Sequence, residues 1–446
     1  MASFLNLNII DGTVLLFFVV LSFALLGYLA VRRPSRAIPL GARVPREHPI
    51  RRWVIIALIG TTTGALVGVI TLFLCEVVFN LFGLPLDWDT RAWVVGAFAG
   101  TGLAVVNFWG SRWWRKALAV VGVLVFVATA TIGINASYGL NPTLASFLNV
   151  QVAQPVALPK PARATPASTA PAKALWETWK PPADMPAAGN LVTVAIPATA
   201  SGFAARPAYL YLPPAALVHS PPALPILIMM MGQPGGPQSS ALFVPTLNAL
   251  AAAHHGLAPI VLTIDQIGAP TKNPLCIDSP AGHVDTYVMT DVVNYVRSSL
   301  PVAPGRLNWG IAGYSNGGEC ALSFGAQHPE IFGSILDVSG EIAPSLGSVS
   351  KTIKLGFGGN VAAYTAALPL TIMKAHHYDD TFAIFTNGSA DPVYGPEVAA
   401  AEAAAKAAGM TTTRLIGAGI GHRADAVSFG VPKGLAMLFP RWGLSG

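Results

Sequence analysis

The stretch that decides the fold is Leu307–Gly318, which reads LNWGIAGYSNGG. Its first half is apolar, as expected of a buried strand, and Gly317–Gln327 continues with the composition of a helix. Between the two, Gly313–Gly317 matches the pattern G-x-S-x-G, in which small residues permit a sharp turn that raises a serine above the end of a strand. The sequence therefore predicts a strand, a tight elbow at Ser315, and a helix whose positive N-terminal end points at that serine.

Strands and helices alternate on both sides of this elbow. Wholly apolar runs at Pro225–Met231 and Ile260–Ile264 are typical of strands buried on both faces. Such alternation predicts a mostly parallel sheet covered by helices on both faces, after a leading β-hairpin. The other predicted elements are strands at Leu191–Ile196, Ala208–Leu212, Leu307–Ala312, Ser334–Val338, Thr381–Thr386 and Thr412–Ile416, and helices at Ala241–His254, Thr286–Ser299, Pro396–Ala408 and Asp425–Leu438.

A nucleophilic serine needs a base and an acid that orients the base, and in this kind of fold the acid precedes the histidine. Asp391 lies in the loop after a late predicted strand, and His422 follows the last predicted strand. The alternative acid is Asp337, which lies inside a predicted strand and is expected to point into the sheet or cap a turn. The histidines expected at the surface are His254, His255, His328, His376 and His377.

The oxyanion that forms in acyl transfer needs backbone N–H donors. Asn316 directly follows Ser315, so its N–H is expected to supply one of them. The second is expected from the loop after an early strand, Met231–Gly236, where Gln233 N–H is the candidate and Gly232 allows close approach. The alternative is that this loop is rich in Gly and Pro for its turn geometry alone.

Around these motifs the chain resembles the esterase D and antigen 85 (mycolyltransferase) branch of the α/β-hydrolases. The resemblance is carried by Tyr287, Asp291–Val293, Gly313–Gly318 and His328–Phe332, and it extends over about Leu191–Phe439. It implies an α/β-hydrolase domain with a serine nucleophile, a histidine base, an aspartate orienter and ester substrates, and it implies no cofactor. An N-terminal membrane region departs from the secreted mycolyltransferases and is similar to multi-span esterases of actinobacterial envelopes.

The N-terminal part has the composition of a membrane region. Of the 446 residues 53% are hydrophobic and only 11% are charged, against about 25% charged in an average soluble domain. Four apolar segments approach the roughly 20 residues needed to cross a bilayer. They are Thr13–Val31, Val54–Phe82, Ala92–Trp109 and Leu118–Asn135.

The charges predict how these four segments are oriented. The first loop carries seven arginines between Arg32 and Arg52, and the third carries Arg112, Arg115 and Lys116. Basic loops stay in the cytoplasm, so the N-terminus and everything after the last span are expected outside. The first segment has no positive charge before it, which argues against a signal peptide. Glu76, within the second span, is expected to reach water at the headgroups.

The predicted organisation has three parts. Residues 1–140 form a membrane region of four transmembrane helices, residues 141–189 form a Pro/Ala-rich linker, and residues 190–446 form the α/β-hydrolase domain. The whole net charge of +6 lies in residues 1–141, because the remaining residues carry sixteen basic and sixteen acidic side chains. No basic stripe marks the hydrolase domain, so no nucleic-acid partner is expected.

Two of the three cysteines lie in the domain expected outside the cell. Cys276 is on a loop after a strand and Cys320 is five residues past the nucleophile, so a disulfide between them is expected. Cys75 lies in a span and is expected to act as a small apolar residue. No Cys/His cluster has the spacing of metal ligands, so no metal site is expected.

The favoured hypothesis is a membrane-anchored serine esterase that hydrolyses a lipid or cell-envelope ester outside the cytoplasmic membrane. Ser315 would attack the ester carbonyl, His422 would carry the proton and Asp391 would hold the imidazole. One alternative is an acyltransferase that passes the acyl group to a sugar or lipid alcohol. Another is a non-catalytic scaffold or transport protein that carries an inert hydrolase domain, since fold alone does not prove activity.

The predicted orientation can be tested with reporter fusions. A reporter that is active only in the cytoplasm should stay silent when fused after Gly446 and should be active when fused near Ser111, because basic loops are retained inside. Reporter activity at matched expression measures both fusions. An active reporter after Gly446 would place the hydrolase domain in the cytoplasm and show that the loop charges were misread.

Overall fold

The computed structural model describes residues 2–10, 12–31, 49–79, 86–148, 150 and 173–446. The chain divides into two units, Met1–Leu148 and Asn149–Gly446. The arginines between 32 and 46, and residues 151–172 of the predicted linker, lie outside the described residues. The predicted boundaries at 140 and 189 therefore stay predictions.

The N-terminal unit is helical. Three of its helices, within the described residues, are long and apolar enough to cross a membrane: Gly12–Ala30, Ile50–Val78 and Trp113–Tyr138. The segment predicted as the third span forms a helix of 19 residues that is not among those three, so four spans remain a prediction. The helices of this unit are α1 (Ala2–Leu5), α2 (Gly12–Ala30), α3 (Pro49–Phe73, continued by a π-helical turn at Leu74–Val78), α4 (Trp88–Val106), α5 (Trp113–Tyr138) and α6 (Leu144–Phe147).

Helix α4 packs between α3 and α5. Small residues allow α3 and α4 to approach closely: a Cβ on Gly64 would lie 2.2 Å from the carbonyl oxygen of Phe98. Arg91 on α4 donates a hydrogen bond from Nε to Glu76 Oε1 over 3.1 Å. The sequence analysis expects Glu76 to reach water and misses this partner, because Arg91 lies just before the predicted third span and the contact joins two different helices.

The C-terminal unit is built on an eight-stranded sheet of order β1-β2-β4-β3-β7-β8-β9-β10. β1 pairs antiparallel with β2 and β2 antiparallel with β4, whereas the remaining pairs are parallel. The mostly parallel α/β-hydrolase architecture is confirmed. The strands are β1 (Asn190–Val194), β2 (Ala208–Leu212), β3 (Ile226–Met230), β4 (Ile260–Ile264), β5 (Asp278–Ser279), β6 (Gly282–His283), β7 (Trp309–Tyr314), β8 (Ser334–Val338), β9 (Phe382–Gly388) and β10 (Thr411–Gly417); β5 and β6 form a separate pair.

Helices cover both faces of this sheet, and β3, β4, β7 and β8 are buried along their whole length. A π-helical turn, Tyr287–Val292, connects α9 and α10 where a single helix was predicted. The helices are α7 (Leu175–Thr178), α8 (Val244–Ala253), α9 (Val284–Thr286), α10 (Val293–Ser299), α11 (Asn316–Gln327), α12 (Val349–Gly356), α13 (Val361–Ala367), α14 (Pro369–Ala375), α15 (Tyr394–Ala407) and α16 (Ala424–Arg441).

Three helices, α12 to α14, occupy the connection between β8 and β9 and have no counterpart in the sequence analysis. They are seven or eight residues long, too short for an apolar period to stand out. A signal was nonetheless present in their caps. Ser348 accepts a hydrogen bond from Lys351 N, and Asn360 accepts one from Ala363 N, as N-cap residues do.

A disulfide joins Cys276, on the long connection after β4, to Cys320 on α11, with the two Cα atoms 5.3 Å apart. Both residues are buried. The bond ties the connection that follows β4 to the helix that begins directly after Ser315. Cys75 is free.

Peptide mapping tests this pairing. Full-length protein digested without reductant should yield one peptide pair linked through Cys276 and Cys320, because two adjacent thiols oxidise if the domain lies in an oxidising compartment. Alkylation of Cys75 alone serves as the internal control for free thiols. Full alkylation of Cys276 and Cys320 without reductant would contradict the bond.

Candidate active site

Ser315 lies in the sharp turn between β7 and α11. Its backbone has φ 55° and ψ −121°, a conformation that costs a non-glycine residue on the order of 1–3 kcal/mol. The turn is possible because its neighbours lack side chains. A Cβ on Gly313 would lie 1.8 Å from the carbonyl oxygen of Gly317, and a Cβ on Gly317 would lie 2.4 Å from that of Met230. Close packing of the elbow therefore holds Ser315 at the carboxyl edge of the sheet.

The structure brings the three predicted catalytic side chains into one hydrogen-bonded row. His422 follows β10, and its Nε2 lies 2.8 Å from Ser315 Oγ. Its Nδ1 lies 2.9 Å from Oδ2 of Asp391, which follows β9. Because β7, β9 and β10 all run in the same direction, their carboxyl ends deliver all three residues to one edge.

Asp391 is held in its charged form. It is 5% exposed, and its Oδ1 accepts hydrogen bonds from the backbone N–H groups of Tyr394, over 3.0 Å, and Val393, over 3.3 Å. Burial acts to raise the pKa of Asp391, but the hydrogen bonds from His422 and these two amides outweigh it and hold the pKa below its usual value. A charged Asp391 fixes the tautomer in which His422 Nε2 faces the serine.

Two tyrosines that the sequence analysis did not assign to the site pack on the imidazole. The ring centroid of Tyr394 lies 4.2 Å from that of His422, and the centroid of Tyr314 lies 5.1 Å away. Both tyrosines are 8% exposed. Tyr314 directly precedes the nucleophile within G-x-S-x-G, so its place in the motif could have assigned it to the site. Tyr394 is brought to His422 only by the fold.

Asp337, the alternative acid, has a different environment. It lies at the end of β8, is 1% exposed, and accepts a hydrogen bond from Gly340 N over 2.7 Å. Burial raises its pKa to about 7. Among the described residues it forms no hydrogen bond with a histidine, and it caps the turn after β8.

The two predicted oxyanion donors lie on the segments that surround Ser315. A Cβ on Gly232 would lie 3.0 Å from Ser315 Cβ, so the loop of Gln233 adjoins the nucleophile. Within the described chain, neither Gln233 N–H nor Asn316 N–H donates a hydrogen bond. Both groups are thus available to a ligand at the site. The bond between Gln233 and Pro234 is cis.

Residues that the sequence analysis missed hold this loop in place. Gln266, after β4, donates from Nε2 to the carbonyl oxygen of Met231 and to Asn316 Oδ1, the latter over 3.1 Å. Arg206 donates from Nη2 to the carbonyl oxygen of Gly235 over 3.0 Å and forms an ion pair with Asp265 over 2.8 Å. No short motif contains these contacts, because each one joins segments that are distant in the chain.

The Esterase family model matches residues 208–426. An uncharacterized protein of Corynebacterium glutamicum is 34% identical over 343 residues, which cover 73% of this chain and 76% of the relative. The chain belongs to the esterase family. Because residues 190–446 number fewer than the 343 aligned, the similarity to this relative also includes part of the chain before the esterase domain.

Two solved structures of hydrolases match part of this chain. A ferulic acid esterase is 17% identical, with a TM-score of 0.49, and the match covers 57% of this chain and 99% of that chain. An S-formylglutathione hydrolase from Agrobacterium tumefaciens is 17% identical, with a TM-score of 0.47, and the match covers 58% and 98%.

The environments of the two aspartates predict opposite results for two matched substitutions. Asp391→Asn should lower kcat for a neutral ester by about four orders of magnitude, because the imidazole loses tautomer control. Asp337→Asn should cost at most a few-fold, since an amide oxygen still accepts from Gly340 N. Ester hydrolysis and the melting temperature, measured together, separate lost chemistry from lost folding. A severe loss of activity in a folded Asp337→Asn protein, with Asp391→Asn near normal, would identify Asp337 on β8 as the acid that orients His422.

Proposed function

We propose that this esterase is a membrane-anchored serine hydrolase that cleaves a lipid or cell-envelope ester outside the cytoplasmic membrane. The observation that carries the proposal is the hydrogen-bonded row of Ser315, His422 and Asp391, with distances of 2.8 and 2.9 Å, in a chain of the esterase family. A nucleophile, a base within hydrogen-bond reach and a third group that orients the base are the parts of covalent acyl transfer.

In the proposed reaction Ser315 Oγ attacks the ester carbonyl carbon while its proton passes to His422 Nε2. The resulting oxyanion accepts hydrogen bonds from the N–H groups of Asn316 and Gln233. When the carbon–oxygen bond of the ester breaks, the imidazolium gives its proton to the leaving alkoxide, which departs as the alcohol. Water, deprotonated by His422, then attacks the acyl-enzyme and releases the acid, and the proton returns to Ser315.

The site of action is inferred from the N-terminal unit. Helices α2, α3 and α5 support insertion into a bilayer, and the basic loops between the apolar segments favour an esterase domain on the outer side. A Cys276–Cys320 disulfide is consistent with an oxidising compartment. A domain attached to the membrane meets lipids and envelope components at high effective concentration, which supports an ester of that kind as the substrate.

Acyl transfer to an alcohol is the second candidate, and the resemblance to the mycolyltransferase branch favours it. The acyl-enzyme is the same, and only the acceptor differs. Product analysis with a lipid ester, with and without trehalose as an added alcohol, separates the two: free acid indicates hydrolysis, and an acylated sugar indicates transfer.

An active-site probe tests the nucleophile. A fluorophosphonate should label Ser315 alone, because an activated serine attacks phosphorus as it attacks an ester. Labelling should vanish in Ser315→Ala and fall sharply in His422→Ala, since a hydroxyl without its base is a poor nucleophile. In-gel fluorescence and peptide mapping of the modified serine measure both. Equal labelling of the wild type and Ser315→Ala would remove the serine-esterase proposal.

A further inference from the structure

Three glutamates gather beside the catalytic row, and the proposed reaction uses none of them. Glu319 is on α11, one turn after Ser315. Glu341 follows β8, and its backbone N–H lies 3.4 Å from the carbonyl oxygen of Ser315. Glu397 is in the first turn of α15, which begins just after Asp391. We call these three residues the acidic cluster.

No Lys or Arg neutralises the cluster in the part of the chain that the structure describes. Glu319 Oε1 accepts a hydrogen bond from Ser323 Oγ over 2.7 Å, and Glu397 Oε2 accepts one from Ile342 N over 2.9 Å. Both donors are uncharged, and no described Lys or Arg forms an ion pair with any of the three. Glu319 is 1% exposed, yet its Oε2 has no hydrogen-bond partner. A buried carboxylate oxygen without a partner is costly, so a positive charge beside the cluster would offset that cost.

The three carboxylates also act on one another. Burial raises the pKa of Glu341 to about 8, and the neighbouring charges of Glu319 and Glu397 add to the rise. Burial raises the pKa of Glu319 to about 7. Burial also raises the pKa of Glu397 and the charge of Asp391 adds to the rise, whereas the hydrogen bond from Ile342 N and the charge of His422 lower it. Like charges held this close destabilise the protein unless a cation offsets them.

Aromatic rings border the acidic cluster. Tyr394 packs on His422, and the charges of Glu341 and Glu397 contribute to a raised pKa of its hydroxyl, after burial itself. Tyr364, on α13, is near enough to Glu319 for that carboxylate to raise the Tyr364 pKa in addition to burial. Carboxylates combined with tyrosine rings are the usual surroundings of an organic ammonium group.

A metal ion fits this arrangement less well. Metal ligands must converge on one point, at about 2.0–2.6 Å from the ion. Among the described residues, the one group of three ligand atoms that converge consists of Glu319 with Cys276 and Cys320, and these two sulfurs are joined in a disulfide. Among the described residues, the carboxylates of the three glutamates thus act on one another through their charges but do not converge on one point as a set of three metal ligands does. An ammonium group, which is larger and more diffuse, suits that spacing.

We propose that Glu341 and Glu397, with Glu319 behind them, form a subsite for an ammonium group carried by the ester substrate. The inference rests on the proposed esterase function and adds the substrate class: an ester whose acyl or alcohol part is cationic. Glu341 and Glu397 are partly exposed and would contact the cation, whereas the buried Glu319 would act on it through its charge once the bound cation favours its ionised form.

Two pairs of esters that differ only in charge test the subsite in the full chain. On the alcohol side, butyrylcholine is compared with 3,3-dimethylbutyl butyrate, and on the acyl side, methyl 4-(trimethylammonio)butyrate with methyl 5,5-dimethylhexanoate. In one pair kcat/KM should favour the cationic ester by about tenfold or more, mainly through KM, as expected of about 1.4 kcal/mol of binding. Glu341→Gln and Glu397→Gln keep the side-chain shape and should bring the ratio close to one.

Asp379→Asn is the matched control, because Asp379 is 94% exposed and precedes β9, at the opposite edge of the sheet from the active site. It should keep the wild-type ratio. A wild-type ratio near one in both pairs, with the neutral esters hydrolysed, would reject the subsite and leave the proposed function standing. If neither ester in either pair is hydrolysed and a fluorophosphonate leaves Ser315 unlabelled, the proposed function fails.

Binding to Ser315→Ala decides the subsite without catalysis. Choline should bind this variant of the full chain, as measured by titration calorimetry, and should displace protons from the acidic cluster, so the measured enthalpy should depend on the ionisation enthalpy of the buffer. Adding Glu341→Gln should abolish this binding, and adding Asp379→Asn should preserve it. Equal choline binding with and without Glu341, or no binding at all, would overturn the inference.

Discussion

The contact on which the rest of this site depends is the packing of glycine on backbone at the elbow. Gly313 packs against the backbone carbonyl of Gly317, and Gly317 packs against the carbonyl oxygen of Met230 on the neighbouring strand. Only hydrogen atoms fit at these positions. Their absence of side chains lets β7 end and α11 begin within one residue, and that residue is the strained Ser315.

Parallel pairing then sets the distances. Since β7, β8, β9 and β10 follow each other across the sheet in register, the loops that leave their carboxyl ends meet at one edge. Asp391 and His422 reach Ser315 from two of those loops, although 107 residues separate His422 from the serine. The hydrogen bonds from Tyr394 and Val393 to Asp391 show how the start of α15 contributes: its first amides help to keep the carboxylate charged.

Sequence reasoning succeeded where the signal is local. The elbow, the buried strands and the position of Asp391 and His422 after late strands can all be predicted from short patterns and chain order. It failed where contacts join distant segments: Glu76 with Arg91, Gln266 with Asn316, and the ring of Tyr394 on His422 have no local signature. Helices α12 to α14 were missed for a different reason, since a helix of two turns shows its caps more clearly than its period.

The acidic cluster creates an electrostatic conflict that bears on what the site accepts. Carboxylates next to Ser315 would oppose the negative charge that develops on the substrate oxygen, which in the proposed reaction is stabilised by the N–H groups of Asn316 and Gln233. Burial reduces the conflict by raising the pKa of Glu319 to about 7 and that of Glu341 to about 8, so that both are partly protonated near neutrality. A bound substrate cation would favour the ionised form of the glutamates, and its positive charge would offset their negative charge. The same arrangement would then tolerate the oxyanion best when a cationic substrate is bound, so that binding and catalysis would favour one class of ester together.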